Sequence, residues 1–252
     1  MPPIPLTVAV WAGVTLLLDR HASVWEQRGL GGLTWLLLLA LLTRESRATR
    51  VQVGVVVAYA TVVEYVFAGY LGVYVYRLHN VPAFVPPGHG LVYLAALAIG
   101  RSAWAHRSTW LVPVTLTACG AWAVWGLTLS PQKDLLGAFW FGCLLVFSRF
   151  GKSPLVYAGA FLIVSYLEIV GTSLGTWTWQ PHDPTGLVPV GNPPSGIAGG
   201  YAWFDAAALY LTPRLLLWWD ARQPTSRGTA GAVPGERART ATAVSTSAPP
   251  AS

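Results

Sequence analysis

Three acidic side chains, Glu64, Glu168 and Asp205, lie inside long apolar stretches of the sequence. An ionised carboxylate at the middle of a bilayer costs about 2.5–3.5 kcal/mol on insertion scales, and no Lys or Arg accompanies Glu64 or Glu168 within its stretch. We therefore expect the three carboxyls to face the interior of a helix bundle, where each can act as an acid, a base or a stabiliser of a cation. The simpler alternative is that each hydrogen-bonds a neighbouring helix.

An aromatic pair with one intervening residue follows each glutamate, after a glycine. Positions i and i+2 do not share a face of an α-helix, so the spacing predicts that each helix opens into an extended segment. Such side chains commonly anchor a protein at the membrane interface; alternatively, they line a site for a hydrophobic ligand and stabilise a passing cation. The pairs are Tyr74 with Tyr76 and Trp177 with Trp179.

Loops rich in Pro and Gly follow both aromatic pairs, at 80–90 and 191–196. Pro is favoured at a helix start, so each loop is predicted to aim the next helix and to leave backbone N–H groups free near the outer face. We therefore add Asn80, His89 and Asn192 to the candidate substrate contacts. His89 could relay a proton or contact a ligand, or could be a satisfied group at the membrane interface.

Other chemistries find little support in the sequence. It contains no HExxH or DDxxD motif and no Walker loop, and Cys119 and Cys143 lie in apolar stretches without metal-binding spacing. We therefore predict no metal and no cofactor. The net charge of +6 comes from basic residues at the ends of apolar stretches and in a polar tail, a distribution that favours membrane orientation and predicts no nucleic-acid partner.

The elements that must position these residues are helices surrounded by lipid. Hydrophobic residues make up 54% of the chain and charged residues 10%, against about 25% charged in soluble domains. The pattern predicts an all-α, polytopic membrane helix bundle of about eight transmembrane helices. The predicted spans are 4–18, 30–43, 51–76, 88–100, 109–129, 135–148, 154–176 and 196–218.

The distribution of Lys and Arg predicts the orientation of this bundle. With the N-terminus inside and eight spans, twelve of the 16 basic residues fall in cytoplasmic segments. Because such residues collect on the cytoplasmic side, we expect a multi-pass protein of the cell membrane with both termini in the cytoplasm. Residues 219–252 change to a polar, Pro- and Gly-rich composition and are predicted to form a disordered cytoplasmic tail.

The sequence also repeats itself with offsets of 103 to 107 residues. Glu64 recurs as Glu168, and the Leu-Gly and aromatic motifs around them recur with it. The transmembrane domain, 1–218, is therefore predicted to contain two four-helix halves, 1–108 and 109–218. Four spans each would insert both halves the same way up, giving parallel repeats related by an axis along the membrane normal.

An acid on a helix, followed by Gly, an aromatic pair and a Pro-rich stretch, resembles the integral membrane carotenoid-biosynthesis proteins of the bacterioruberin-type hydratase family. The resemblance covers roughly residues 64–93 and 168–205 and concerns residue types more than exact strings. It implies acid-catalysed addition of water to an isoprenoid double bond, with Glu64 or Glu168 as the proton donor. A looser similarity of size and intramembrane acids links the chain to small membrane-bound terpene cyclases.

Three functions remain open at this point. The leading hypothesis is an enzyme that hydrates or cyclises an alkene of a lipid or isoprenoid substrate. Paired acids in duplicated halves are also typical of a proton-coupled transporter, and a non-catalytic membrane scaffold is the third possibility. The sequence specifies neither the substrate nor the oligomeric state.

Overall fold

The computed structural model describes residues 3–222, which form nine α-helices, one π-helical segment and two short strands. The π segment, Tyr65–Tyr70, continues the third helix. The helices are α1 Ile4–Asp19, α2 Val24–Leu42, α3 Arg47–Glu64, α4 Val85–Arg101, α5 Ala103–Arg107, α6 Leu111–Thr128, α7 Leu135–Phe150, α8 Pro154–Ser173 and α9 Ala198–Arg222; the strands are β1 Tyr74–Tyr76 and β2 Trp177–Trp179.

Each of the eight predicted spans overlaps one of the longer helices, but several helices begin or end at residues other than the predicted ones. The predicted span 51–76 is wrong beyond Tyr70, because the chain leaves the helix and enters β1. The helix α9 extends through Arg222, so the first four residues of the predicted tail are helical. The rest of that tail lies outside the described residues. The short helix α5 was not predicted, since five residues leave no periodic signal.

Within residues 3–222, three helices are long and apolar enough to cross a membrane: Arg47–Tyr70, which joins α3 to the π segment, Leu111–Thr128 and Pro154–Ser173. Large apolar side chains also cover the outside of the bundle; Val10 and Leu17, for example, are more than half exposed on α1. A surface of this kind is typical of lipid contact. The fold is therefore compatible with a membrane protein.

The centre of the molecule consists of α3, α4, α8 and α9, which pack on one another. One end of this group, called here the basic end, is where α3 and α8 begin and where α4 and α9 finish. Arg47 pairs with Asp220 there, at 2.7 Å, and Arg101 pairs with Glu45 at 3.4 Å. The other end, called the loop end, carries the two strands and the segments that precede α4 and α9.

Helix α9 continues past Pro213, which would ordinarily leave a carbonyl without its partner. Proline has no N–H, so the carbonyl oxygen of Leu209, four residues earlier, loses its helical hydrogen bond. The Nζ atom of Lys152 donates to that oxygen at 3.2 Å. The contact fixes the start of α8 against the second half of α9.

The two strands pair antiparallel at the loop end, with Val75 opposite Thr178 at the centre of the register. Each strand follows a helix that ends at a glycine in the left-handed region, Gly72 with φ 63° and Gly175 with φ 71°. Glycine adopts this conformation at little cost and reverses the chain direction. The predicted opening of both helices into extended segments is thus confirmed.

Candidate functional site

An apolar cavity of about 450 Å³ lies between the central helices and the two strands. Its size falls within the usual range of ligand sites, about 300–1,000 Å³. Both Glu64 and Glu168 line it, together with the aromatic pairs of both strands and His89. Further aromatic rings, on α1, α3, α7 and α9, complete the wall; they include Trp11, Tyr59, Trp140, Tyr201, Trp203 and Phe204.

Glu64 is held by three polar side chains at the last turn of α3. The hydroxyls of Tyr74 and Tyr76 both donate to Oε2, each at 2.8 Å. The Nε2 atom of His89, on α4, lies 2.9 Å from Oε1. The side chain is 6% exposed. Both carboxylate oxygens therefore have partners.

Glu168 is held by the two indoles of β2. Trp177 and Trp179 each donate Nε1–H to Oε2, at 2.9 and 3.0 Å. Within residues 3–222, Oε1 accepts no hydrogen bond. Gly171 allows this geometry, because a Cβ atom there would lie 2.0 Å from the Trp177 ring. Glu168 therefore retains one oxygen free for a proton or a ligand.

The spacing of the aromatic pairs explains why each pair can reach one oxygen. Side chains at i and i+2 share a face of a β-strand, although they diverge on a helix. The pairing of β1 with β2 places Tyr74 against Trp179, with ring centroids 4.5 Å apart, and Tyr76 against Trp177 at 6.1 Å. The four rings form one continuous aromatic layer between the two acids.

His89 links this layer to α9. Its ring stacks on Tyr201, with centroids 5.2 Å apart and planes at 26°, and meets the edge of Phe204. Among the described residues, the buried Nδ1 atom of His89 has no hydrogen-bond partner, and neither has Nε1 of Trp140. Both residues line the cavity. These two atoms are available to a polar group or a water molecule inside an otherwise apolar site.

Asp134 fixes the loop before α9, a role that no motif in the sequence predicts. Its carboxylate caps α7 through Gly137 N–H at 2.9 Å and also accepts from the backbone N–H groups of Gly191 and Ser195, at 2.9 and 2.7 Å. Within this loop, Oδ1 of Asn192 accepts the backbone N–H of Trp179 at 3.1 Å. Asn192 therefore positions β2 and does not line the cavity.

Asn80, like Asn192, holds a loop in place by a hydrogen bond and does not line the cavity. Its Nδ2 donates to Gln27 at 3.0 Å, and Gln27 donates to Asp19 at 2.7 Å. Arg77 approaches the same carboxylate at 3.8 Å. The cluster ties the segment after β1 to the turn between α1 and α2, outside the cavity wall.

Asp205 lies apart from the other two acids. It is 3% exposed on α9, one turn beyond Tyr201, and it does not line the cavity. Its Oδ2 atom has no hydrogen-bond partner, and no salt bridge reaches it within residues 3–222. The structure therefore brings Glu64 and Glu168 to one site and places Asp205 next to it.

Sequence reasoning missed the ring contributions of Tyr201, Trp11 and Trp203, because single aromatic residues in an apolar helix are indistinguishable from ordinary core residues. The signal for Tyr201 was its position four residues before Asp205, one helical turn. Within the described part of the chain, no group of three or more His, Cys, Asp or Glu side chains could hold a metal ion.

A scan against protein-family models and searches of curated proteins and solved structures each found no match to this chain. Its class is therefore defined by its own architecture: a helical protein whose described part contains three helices long and apolar enough to span a membrane and an aromatic cavity lined by two acids. The resemblance to carotenoid hydratases stays a prediction.

Proposed function

We propose that this protein is a membrane-embedded enzyme that protonates a double bond of an isoprenoid-type lipid and directs the hydration or cyclisation that follows. The observation that carries the proposal is the presence of two buried carboxyls in one apolar, aromatic cavity of about 450 Å³. An apolar site can keep a carboxylic acid neutral near pH 7, so that it can donate a proton. Surrounding lipid would supply the apolar substrate.

The different partners of the two acids suggest different roles. Glu64 has hydrogen-bond partners on both oxygens and is suited to stabilise positive charge or to accept a proton. Glu168 has donors on Oε2 alone, so a proton on Oε1 can be transferred to a substrate. Two like charges around one apolar cavity also disfavour simultaneous ionisation. We assign Glu168 as the acid.

The aromatic layer would stabilise the carbocation that protonation creates. The negative face of an aromatic ring attracts a cation with about 0.5–2 kcal/mol, most strongly when water is excluded. Trp177, Trp179 and Tyr74 offer such faces between the two acids. The cavity accommodates the end of an isoprenoid chain, and the rest of a longer lipid would extend toward the bilayer.

Hydration also requires a water molecule near the cation. The unpartnered Nδ1 of His89 and Nε1 of Trp140 could hold that water. If Nε2–H of His89 donates to Glu64, Nδ1 is an acceptor and can take the proton that the water loses on attack. In a cyclase Nδ1 of His89 would receive the proton that terminates the reaction.

The proposal includes the finer architecture: eight crossings of the cell membrane, both termini cytoplasmic, and parallel halves at 1–108 and 109–218. Corresponding features support the duplication. Gly31 and Gly137 each lie where the loop before α4 or α9 packs closely, against Ala83 and Ser195. Both acids precede a left-handed glycine and a strand, and the antiparallel register pairs each strand with its counterpart.

A proton-coupled carrier is the second candidate, favoured by the position of two acids between the halves around a single cavity. A carrier would move its substrate unchanged, with uptake that depends on a pH gradient. Chemical analysis of the substrate therefore separates the two functions.

The proposal is tested by mass spectrometry of lipid extracts from cells with and without the protein, followed by Glu64→Gln and Glu168→Gln variants. In cells with the wild-type protein we expect an isoprenoid to appear or to be consumed. In cells with either variant we expect no such difference in the lipids, although the variant protein is expressed at the normal level. Glu26→Gln is the matched control, because Gln also serves in the capping box that Glu26 forms with Ser23. Full conversion by both cavity variants would remove these acids from the mechanism.

A further inference from the structure

A group of buried polar atoms on the central helices has no hydrogen-bond partners within residues 3–222. They are Oδ2 of Asp205 on α9 and the hydroxyls of Tyr93 on α4 and Tyr157 on α8, and all three residues are at most 3% exposed. A buried polar atom without a hydrogen bond is unfavourable, because it has lost its contacts with water. Three such residues from three packed helices are therefore unlike the surrounding apolar core, and water is the simplest partner for them.

Two of these residues lie one helical turn from the cavity. Asp205 follows Tyr201 by four residues on α9, and Tyr93 follows His89 by four residues on α4. Tyr201 and His89 stack on each other in the cavity wall, and His89 contacts Glu64. Both helices run from the loop end to the basic end, so Asp205 and Tyr93 are displaced from the cavity toward the basic end.

The third residue reaches the basic end itself. Tyr157 is close to the start of α8, and a Cβ atom at Gly151 would lie 2.6 Å from its hydroxyl oxygen. Gly151 belongs to the turn between α7 and α8, beside the exposed Lys152. The hydroxyl of Tyr157 is thus buried directly below a surface turn.

Tyr93 on α4, Tyr157 on α8 and Tyr201 on its own helix are the titratable side chains near the carboxyl of Asp205, and Arg101 at the basic end is the charged group near Tyr93. No Lys, Arg or His from α3 or α7 forms a salt bridge with Asp205 in the part of the chain described. Within residues 3–222, neither Oδ2 of Asp205 nor the hydroxyls of Tyr93 and Tyr157 have hydrogen-bond partners. Bridging water would connect these groups.

We propose that Asp205, with Tyr93 and Tyr157, forms a water-bridged proton relay between the basic end of the bundle and the acids of the cavity. Asp205 is the intermediate site that holds the proton. The inference rests on the proposed function, since the relay reloads the acid after each protonation of substrate. It makes Asp205 a residue that acts through the cavity acids, without touching the substrate.

Each step of the relay exchanges one O–H bond for another. A proton enters from water at the α7–α8 turn, passes the hydroxyl of Tyr157, and forms the acid of Asp205. That acid gives its proton to the water beside Tyr93 and Tyr201, and the proton then moves to the cavity carboxyls. No oxidant or reductant takes part, and reversal of the same steps returns a proton to the basic end.

Infrared spectroscopy of the purified full chain in lipid nanodiscs tests the relay without any substrate. A protonated carboxyl gives a carbonyl band that shifts when D₂O replaces water, and the band of Asp205 is the one that Asp205→Asn removes and Asp205→Glu moves. After rapid mixing with D₂O we expect Tyr157→Phe to slow the shift of this band by about tenfold or more. Tyr166→Phe is the matched control on α8, because Tyr166 bonds Ala9 and lies outside the group.

Three results would overturn the relay. The first is the absence of any protonated band assignable to Asp205 by either substitution. The second is an exchange rate that is unchanged in Tyr157→Phe. The third is displacement of the band by sodium ions at constant pH, which identifies a cation site. Because the spectra need no product, a normal exchange pattern in a protein that converts no lipid supports the relay and counts against the proposed enzyme alone.

Discussion

At the scale of single residues, Glu64 and Glu168 differ in the chemistry of their hydrogen-bond donors. Phenol hydroxyls can both give and accept a proton, so Tyr74 and Tyr76 can adapt when the charge on Glu64 changes. Indole N–H groups only donate, and Trp177 and Trp179 therefore hold one oxygen of Glu168 in a fixed position. A fixed acid with a free second oxygen is well suited to protonate a bound alkene.

Replacing Trp179 by Phe removes one of these two donors while keeping an aromatic ring. As Glu168 gives up its proton it becomes a carboxylate, and a hydrogen bond to a charged group contributes about 1.5–3 kcal/mol, so we expect product formation to fall by roughly 10- to 100-fold. The measurement is the initial rate of lipid conversion in membranes with equal amounts of protein. Trp25→Phe, at a position 76% exposed on α2, should leave the rate unchanged; equal losses in both variants would show that the Glu168 contact is irrelevant.

Much of this site could be predicted from residue types alone. The acid, the glycine and the aromatic pair follow one another within about a dozen positions in both halves, so local sequence carries their relation. The contribution of Asp134 could not be predicted, because its partners Gly191 and Ser195 are distant in sequence and meet it only through packing. The stacking of His89 on Tyr201 could not be predicted either, because these two residues are also distant in sequence and meet only through packing.

At the scale of elements, the ends of α3 and α8 determine where the acids point. After Glu64 the helix widens into the π segment, and Leu71 N–H bonds Val66 C=O five residues earlier. Such segments are frequent at functional sites because they redirect side chains. Hydrophobic periodicity continues through residue 76, so the predicted span could not reveal where the helix stopped.

Gly171→Ala tests the close approach of β2 to α8. The added methyl group would overlap the ring of Trp177, which must move away and lose its bond to Glu168. We expect stability to fall by about 1–3 kcal/mol, as for other overpacked sites. Thermal unfolding in detergent is the measurement. Gly142→Ala on α7, where a Cβ atom meets no neighbour within 4 Å, should be neutral or stabilising; a similar loss there would contradict the stated cause.

At the scale of the whole molecule, the cavity lies between the two proposed halves, and each half supplies one acid. The basic end and the loop end would then face opposite sides of the membrane. Length and composition alone identify three helices able to cross, and the remaining long helices are shorter, interrupted by Pro213 or richer in polar residues. Direct mapping of the two ends therefore decides the number of crossings.

Single cysteines at both ends provide that map, in a background where Cys119 and Cys143 are replaced by Ala. We expect Lys133→Cys and Thr185→Cys at the loop end to react with a membrane-impermeant maleimide from outside intact cells. Arg107→Cys and Lys152→Cys should react only after the membrane is opened. Labelling of both groups from the same side would contradict the eight-span arrangement.

The central claim is that Glu168 transfers a proton to a carbon of the substrate, and deuterium incorporation measures that transfer directly. Purified protein in nanodiscs, supplied with the isoprenoid that cells convert, should form in D₂O a product with one non-exchangeable deuterium on carbon for each turnover. The Glu168→Gln variant should form none. Product without carbon-bound deuterium, or substrate recovered unchanged while a pH gradient drives its uptake, would contradict the account.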